Sequence, residues 1–457
     1  MSMKNRYLPF MMLLIVIAGC GARPDARDFP KQSFPVSEKA PQKAPVIVES
    51  APGQPVKADE PRGVIDLRDA LSATLENNPE LSAARWQVRI MESGIGQSAV
   101  RKNPELDFAA EQFGGVGSRK EFDGAEITFR LSQVIELGGK RTARIRESKL
   151  AHEVAAWDYE IMRLDILTRA TGAYIALVAS QEKAALADET VALAENFAKM
   201  AAERVKAGKV APIEEAKANV SLSRERINQN QRVRELAVAR KQLAAFWGGK
   251  EPVFEKASGV LDSLYGIPSL EQVRDVFEKN PHLARWAAET ERYSSRVALE
   301  KKRRIPDITV SGGAGRYRDD NSTAYLMGLS FPLPLFDRNQ WSLKQAEQES
   351  LKAADARRSQ ETQVKNSFYK AYQELVSSYD NARVLTQEII PVAQKTLGDV
   401  TEGYRQGKFS SLDVLEAQKT YFETREQGID TLAAYHTAVA EVERLAGAPL
   451  QYLVIKR

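Results

Sequence analysis

The stretch that decides the fold is YRQGKFSSLDVLEAQ, residues 404–418. Gly407 ends one helix-like pattern, and a serine pair at 410–411 precedes the next pattern, which starts at Leu412. A glycine just after a helix and a serine just before one are typical stop and start signals. The chain is therefore predicted to double back here, with one helix ending and another beginning within about four residues.

The same pattern occurs earlier in the chain, in VKAGKVAPIEEAKAN at residues 205–219. Gly208 there corresponds to Gly407, and Ile213 corresponds to Leu412. Both segments predict a helical hairpin with a tight turn at its tip. Two hairpins that turn at matching places indicate an internal duplication.

Other similar segments extend this duplication over most of the chain. The matching pairs are NNPEL (77–81) with KNPHL (279–283), KNPELDF (102–108) with RIPDITV (304–310), and LAAFWGG (243–249) with VERLAGA (442–448). The members of each pair lie about 200 residues apart. The sequence thus predicts one repeat at 63–249, a linker at 250–267, a second repeat at 268–450 and a tail at 451–457.

Each repeat contains two segments in which apolar and polar residues alternate, which predicts strands with one apolar face. The predicted strands are about 105–113 and 125–133 in the first repeat, and about 306–314 and 324–332 in the second. A lipid-facing sheet cannot leave its edges open, because unpaired backbone groups in hydrocarbon cost several kcal/mol each. Four strands per chain therefore require other copies, and three chains would supply twelve strands.

Long helical patterns follow the strands. The predicted long helices span about 140–206 and 340–405, and the shorter return helices span about 212–247 and 410–446. Some 65 residues at 1.5 Å each reach roughly 100 Å, far more than a globular helix. The short helices at 81–101 and 282–304 are expected to stack end to end with the return helices and so match the long ones in length. Pro391 is the internal proline of the second long helix.

The N-terminus predicts a signal peptide at residues 1–19, because Lys4 and Arg6 precede an apolar run that is too short to span a bilayer. Cys20, the single cysteine, follows in IAGC, which resembles the lipobox of bacterial lipoproteins. That resemblance implies an acylated Cys20 and, with Gly21 next, sorting to the outer membrane. The alternative is an ordinary secretory signal. Residues 20–62 are rich in proline and predict an extended tether.

Together, the lipobox, the duplicated unit, the strand pairs, the very long helices and the two tip turns resemble the TolC family of outer-membrane efflux ducts, over about 63–450. The resemblance implies a mainly α fold with a small β part, in which a homotrimer forms an α-helical barrel and a twelve-stranded transmembrane β-barrel in outer-membrane lipid. It also implies docking to a periplasmic adaptor protein and an inner-membrane pump of the RND type. ELGGKR at 136–141 is similar to the subgroup that exports cobalt, zinc and cadmium, or copper and silver.

The resemblance also assigns roles at the tips. Asp413 and Glu416, three residues apart on one helix face, correspond to acids at the periplasmic mouth of the pore. Tyr404 corresponds to a tyrosine that holds the mouth closed by a hydrogen bond to an acid on the neighbouring hairpin, here Glu214. Phe409 stands where a relative has an arginine, so the closed state is either less tightly latched or held by packing. The expected adaptor contacts are Gly208, Lys209, Val210, Gly407, Lys408 and Phe409.

The residues give little support for catalysis or for tight binding of a metal or cofactor. The three histidines lie apart on helical segments, and the chain has no phosphate-binding glycine loop or nucleophile motif. A formal net charge of +4 does not suggest a nucleic-acid partner. The alternatives are a periplasmic adaptor lipoprotein, a soluble coiled-coil scaffold without a conduit, and a duct for drugs rather than metals.

Overall fold

A computed structural model of the protein describes residues 60–277, 280–447 and 450. The predicted signal peptide, Cys20, nearly all of the proline-rich segment and the tail lie outside the described residues. Within these residues the α-helices are α1 (Leu67–Asn77), α2 (Pro79–Ala99), α3 (Lys140–Lys206), α4 (Pro212–Ala245), α5 (Leu270–Phe277), α6 (Pro281–Arg303), α7 (Gln340–Val384), α8 (Ile390–Arg405) and α9 (Ser411–Ala446). The strands are β1 (Gly63–Ile65), β2 (Glu105–Glu111), β3 (Glu126–Ile135), β4 (Phe254–Ala257), β5 (Ile308–Tyr317) and β6 (Ser322–Ser330). The predicted mainly helical class is confirmed.

The first long helix, α3, is α-helical throughout. The second, predicted over about 340–405, is helical from Gln340 to Arg405, but a π turn at Leu385–Ile389 separates its α-helical parts, α7 and α8. The turn lies directly before Pro391, which has no N–H to donate to the carbonyl four residues back. A wider turn next to a proline accommodates this missing hydrogen bond.

Four antiparallel strands form one sheet in the order β2-β3-β5-β6. Their ends differ from the predicted ranges by no more than about three residues, because pairing rather than local pattern sets them. For example, β3 continues to Ile135 because Ile308 of β5 pairs with it. The outer edges of β2 and β6 have no partner strand among the described residues.

The register places apolar side chains on one face of this sheet and mainly polar or small ones on the other. Two rows of cross-strand neighbours on the apolar face are Leu106-Leu131-Gly312-Met327 and Phe108-Phe129-Ala314-Tyr325. Two rows on the opposite face are Glu105-Ser132-Ser311-Gly328 and Asp107-Arg130-Gly313-Leu326. The large side chains of the apolar face are exposed in the single chain, and Met327 is 93% exposed. Nothing within the described chain covers this face.

A second, parallel sheet pairs β1 with β4, which the sequence reading missed. It lies partly in the segment predicted to be a linker and adds two short strands to the four predicted ones, so the described residues hold six. The Tyr174 hydroxyl on α3 lies 2.6 Å from the carbonyl oxygen of Ser258 and 3.2 Å from that of Ile65. Gln181 contacts both the N–H and the carbonyl of Ala257. These contacts hold the small sheet on α3.

The repeated Asn-Pro motif joins the short helices to the return helices. The Asn78 amide accepts from the N–H of Leu81 at 3.0 Å, which caps α2, and donates to the carbonyl of Phe246 at 2.8 Å. Asn280 likewise caps α6 and donates to the carbonyl of Leu445. Each short helix thus begins where a return helix ends, and α2 and α4 both pack along α3.

Asn78→Asp is expected to lower the stability of the folded chain. The carboxylate keeps the capping oxygen but loses the N–H donor, which leaves the half-buried Phe246 carbonyl facing a charge. An unsatisfied group that is fully buried costs about 1–3 kcal/mol, which sets the upper limit of the loss. A lower midpoint of thermal unfolding, measured by circular dichroism, would show it.

Asn77→Asp is the matched control, because the Asn77 amide donates only within its own helix, to Ala73 at 3.2 Å. Equal midpoints for the two variants would show that the hydrogen bond from Asn78 to Phe246 does not stabilise the contact between α2 and α4.

Candidate functional site

The two tip turns have the same backbone geometry. Gly208 and Gly407 adopt φ values of +69° and +81°, in the left-handed region that favours glycine. The N–H of the next residue, Lys209 or Lys408, donates to the carbonyl five residues back, at 2.9 and 2.8 Å respectively. These are Schellman closures, which end a helix and reverse the chain. The predicted tips are therefore exposed turns with the same backbone hydrogen bonds in both repeats.

The second tip differs from the first by an aromatic contact. The Phe409 ring lies against Gly403, where a Cβ atom would overlap it. The ring is still 45% exposed. Phe409 thus packs within its own hairpin, and its effect on the closed state stays a prediction. A side chain at 403 would displace the Phe409 ring.

A cation joins the two hairpins just behind their tips. The Arg204 guanidinium of α3 lies 4.4 Å from the centre of the Tyr404 ring of α8. It also donates to the backbone carbonyl of Tyr404. Tyr404 is only 1% exposed and packs against Phe197, with ring centres 5.4 Å apart. Sequence reasoning missed Arg204, and we call this contact the Arg204–Tyr404 clasp.

The predicted hydrogen bond between Tyr404 and Glu214 is not formed, and this prediction is wrong for the described chain. The Tyr404 hydroxyl is buried without a hydrogen-bond partner among the described residues. Burial raises the pKa of this hydroxyl, the charge of Arg204 opposes the rise, and that of Glu214 adds to it. Glu214 instead lies 4.0 Å from Lys217 in its own helix. Tyr404 thus acts through its ring and carbonyl rather than its hydroxyl.

Tyr404→Phe is accordingly expected to leave the Arg204–Tyr404 clasp intact. The substitution removes an oxygen that makes no hydrogen bond and keeps the ring beneath Arg204. Single-channel current in a planar bilayer should match that of the unchanged chain. Glu214→Gln is the companion variant. A larger current in both variants would indicate that Tyr404 and Glu214 do form the hydrogen bond that the resemblance implies.

The Asp413 side chain lies in the first turn of α9 and is held by the residue that precedes this helix, Ser410. Its carboxylate accepts from the N–H and the hydroxyl of Ser410, at 2.7 and 2.8 Å, in a capping box. These hydrogen bonds lower the pKa of the exposed Asp413 carboxyl. A lowered pKa means that the ionised form, and the cap with it, persists to a lower pH than for an ordinary aspartate. Asp413 is therefore a fixed negative charge at neutral pH.

A groove of about 660 Å³ runs between α8 and α9 and brings the predicted acidic pair together. Asp413 and Glu416 both line it, and so does Glu388 of the π turn, which sequence reasoning also missed. The remaining lining is mainly apolar and includes Ile389, Val392, Val400 and Phe409. Three carboxylates beside an apolar wall attract cations without enclosing one.

A second groove, of about 750 Å³, separates the two hairpins above the clasp. Its floor is α3, and its walls are α4 and α9. Ion pairs cross between the hairpins here, as in Lys183 with Asp430 at 2.6 Å and Arg232 with Glu426. The hairpins are thus joined by ion pairs higher up and by the Arg204–Tyr404 clasp at the tips.

The described ranges contain no group of three or more histidine, cysteine, aspartate or glutamate side chains placed to hold a metal ion. Among the helices described, none carries an apolar stretch long enough to cross a lipid bilayer.

Comparison with known proteins agrees with the duplicated architecture. A model of the outer membrane efflux protein family matches residues 70–249 and 273–448. The cobalt-zinc-cadmium resistance protein CzcC of Cupriavidus metallidurans is 34% identical over 393 residues, which is 86% of this chain and 92% of CzcC. The nickel-cobalt-cadmium resistance protein NccC of Alcaligenes xylosoxydans xylosoxydans is 28% identical over 287 residues, 63% of this chain and 64% of NccC.

A solved structure has the same fold. The structure of CusC, described with conformational changes that accompany folding and transmembrane channel formation, superimposes with a TM-score of 0.73. The superposition covers 90% of this chain and 99% of CusC, at 16% sequence identity. At this identity the likeness concerns the fold.

Proposed function

Because the chain belongs to the outer membrane efflux protein family, we propose that it is the outer-membrane channel of a tripartite efflux system for heavy-metal cations. It conducts substrates passively and has no catalytic site. An inner-membrane pump of the RND type supplies the energy, and a periplasmic adaptor docks on the tips. Family membership replaces the adaptor and scaffold alternatives considered from the sequence.

The sheet carries this proposal. Its apolar face is exposed in one chain, and both of its edges are unpaired among the described residues. Such a sheet is stable in lipid only if it closes on further strands. Strands β2 and β6 are the two opposite edges of the sheet. Pairing β2 of one copy with β6 of the next therefore generates a ring. Three copies make a twelve-stranded barrel with its apolar face to the lipid.

At the other end of the long helices, the tips form the periplasmic mouth. The Arg204–Tyr404 clasp holds each pair of hairpins together, and Asp413, Glu416 and Glu388 line the groove beside it. Repeated in three copies, Asp413 and Glu416 surround the mouth with negative charge, and Glu388 lies farther up the groove. The adaptor contacts Gly208 to Val210 and Gly407 to Phe409, which are the outermost residues of the turns.

The substrate class rests on the relatives and on this charge. CzcC and NccC are named for resistance to divalent metals, and an acidic mouth raises the local concentration of cations. Metal export through a wide pore needs no tight ligands, because release must be fast. Cys20 is acylated in this proposal and tethers each copy to the outer membrane in addition to the barrel.

Resistance of a deletion strain tests the proposed function. Deleting the gene should lower the tolerated concentrations of zinc, cobalt and cadmium, and the intact gene should restore them. A panel of organic drugs is the comparison. Unchanged metal tolerance with increased drug sensitivity would support a drug duct and overturn the metal assignment.

Glu416→Gln combined with Asp413→Asn is expected to weaken block of the single-channel current by divalent cations. Both changes remove charge, and asparagine at 413 keeps an oxygen that can accept from the N–H of Ser410, as the Asp413 carboxylate does. The half-blocking concentration of Co²⁺ should rise severalfold.

Glu423→Gln is the matched control, because Glu423 is an exposed acid of the same helix that lines the other groove. Equal block in the double variant and the unchanged chain would remove Asp413 and Glu416 from the conduction path.

A further inference from the structure

The face of the four-stranded sheet opposite the apolar one, which we call the polar face, carries charged side chains on only two of its strands. Strand β2 places three acids on it, and β3 places one acid and one base: Glu105, Asp107, Glu111, Glu126 and Arg130. The residues that β5 and β6 contribute to the polar face are uncharged. Within these four strands, Arg130 is therefore the single cation of the polar face.

The Arg130 guanidinium is not neutralised by a neighbour. Its row partners are Asp107 on β2 and Gly313 on β5. Although Asp107 stands directly opposite, the guanidinium makes no ion pair or hydrogen bond with it or with any other residue that the structure describes. The side chain is exposed. Its positive charge is thus available to ions in the water beside the sheet.

Glycines keep the wall beside Arg130 free of side chains. A Cβ atom on Gly313 would overlap the backbone carbonyl of Phe129 on β3. A Cβ atom on Gly328, one row away on β6, would lie 2.6 Å from the hydroxyl oxygen of Ser311. Larger residues cannot stand at either position without moving their neighbours. No side chain at 313 therefore covers the guanidinium or fills the space into which it extends.

Arg130 lies at mid-height of the sheet. It is the fifth of the ten residues of β3, and successive rows of one face are about 7 Å apart along a strand. Glu105 lies one row nearer the helices, whereas Glu111 and Glu126 lie two rows nearer the β2–β3 loop. In the proposed barrel of three copies, symmetry places three guanidinium groups at one level between acidic rows.

We propose that Arg130 determines the charge selectivity of the barrel and limits the time that exported cations spend in it. Cations attracted to the acidic rows must leave again, and binding that is too strong slows conduction. Three guanidinium groups at mid-height lower the local concentration of cations between those rows. The inference rests on the proposed function, because it requires that the polar face lines a water-filled pore.

Reversal potentials across a planar bilayer test this inference. The full chain and Arg130→Gln are compared in a gradient of dilute KCl, where screening is weak. One unit charge about 7 Å away in water changes the local concentration of a monovalent ion about threefold. We therefore expect Arg130→Gln to raise the permeability ratio of K⁺ to Cl⁻ by about threefold or more. The increase should be larger for Co²⁺ in a CoCl₂ gradient, because a divalent ion feels twice the energy.

Arg130→Lys and Arg316→Gln are the matched controls, and both should keep the ratio of the unchanged chain. Lysine at 130 retains the charge. Arg316 loses the same charge, but it belongs to the row of Ile127 and Thr323 on the apolar face, and its guanidinium donates to Thr323 and Asn321. An equal rise in Arg316→Gln would mean that the position of the charge does not matter and would overturn the inference.

Conductance separates the two ways in which the test can fail. If the unchanged chain forms no conducting oligomer, the proposed function is contradicted and this inference falls with it. If Arg130→Gln conducts normally and its permeability ratios in KCl and CoCl₂ equal those of the unchanged chain, the role of Arg130 alone is overturned. A rise of the same size in the two salts would also overturn it, because an electrostatic effect depends on the charge of the ion.

Discussion

Met327→Lys is expected to prevent formation of a stable oligomer in the outer membrane. Met327 lies near the middle of β6 on the apolar face of the sheet, and it is almost fully exposed. A lysine facing lipid near the bilayer centre costs about 2–4 kcal/mol in each copy. Because every copy carries the change, the assembled barrel bears the cost several times. Outer-membrane fractions should lack the heat-resistant band seen with the unchanged chain.

Leu326→Lys is the matched control for this prediction. Leu326 is the neighbouring residue of similar size, but its side chain belongs to the opposite face of the sheet, in the row of Arg130. In the proposed barrel, a charge there faces the water-filled interior and should be tolerated. Equal loss of the oligomer in both variants would mean that the two faces do not differ in environment.

Arg204→Ala is expected to open the proposed periplasmic mouth. It removes the stacking on Tyr404 and the charged hydrogen bond to its carbonyl, which together are worth roughly 2–4 kcal/mol in a partly dry contact. A loss of this size shifts a closed–open equilibrium by about 30- to 1000-fold. The open fraction of single channels in a bilayer should rise accordingly.

Lys206→Ala tests whether any cation near the tip has this effect. Lys206 lies in the last turn of the same helix and is exposed. Its removal should leave the open fraction unchanged. A closed channel in Arg204→Ala would show that the ion pairs higher in the hairpins, such as Lys183 with Asp430, hold the mouth by themselves.

Features that depend on local or periodic patterns could be predicted from the sequence. Gly208 and Gly407 identified both tips, because a left-handed turn after a helix strongly favours glycine. Period-two alternation identified the strands and also the apolar face that includes Phe108 and Met327. The duplication gave each of these predictions an independent second case.

Features that depend on contacts between residues far apart in the sequence could not be predicted. The strands β1 and β4 are short and pair across about 190 residues, so neither shows a pattern of its own. The π turn follows from Pro391, but a proline signals only a disturbance, and the neighbouring turns decide its form. At the sheet ends, pairing partners rather than local composition set the bounds.

The candidate site also contains features with a local sequence signal and features that depend on long-range contacts. The acidic pair was found because Asp413 and Glu416 lie three residues apart on one helix. The Ser410–Asp413 capping box was also visible as a serine followed three residues later by an acid, and that signal was overlooked. Arg204 had no local signal, since its partner Tyr404 is 200 residues away. That separation is close to the length of one repeat, so the two residues occupy nearly equivalent positions in the two hairpins. The duplication therefore suggests that the tips of the two hairpins contact each other.

Native mass spectrometry of the full chain, extracted from outer membranes in mild detergent, shows whether several copies close one sheet around a single pore. We expect a mass of three copies, with loss of that species in Met327→Lys but not in Leu326→Lys. A stable single copy, folded with the edges of β2 and β6 unpaired, would mean that the sheet does not close between copies.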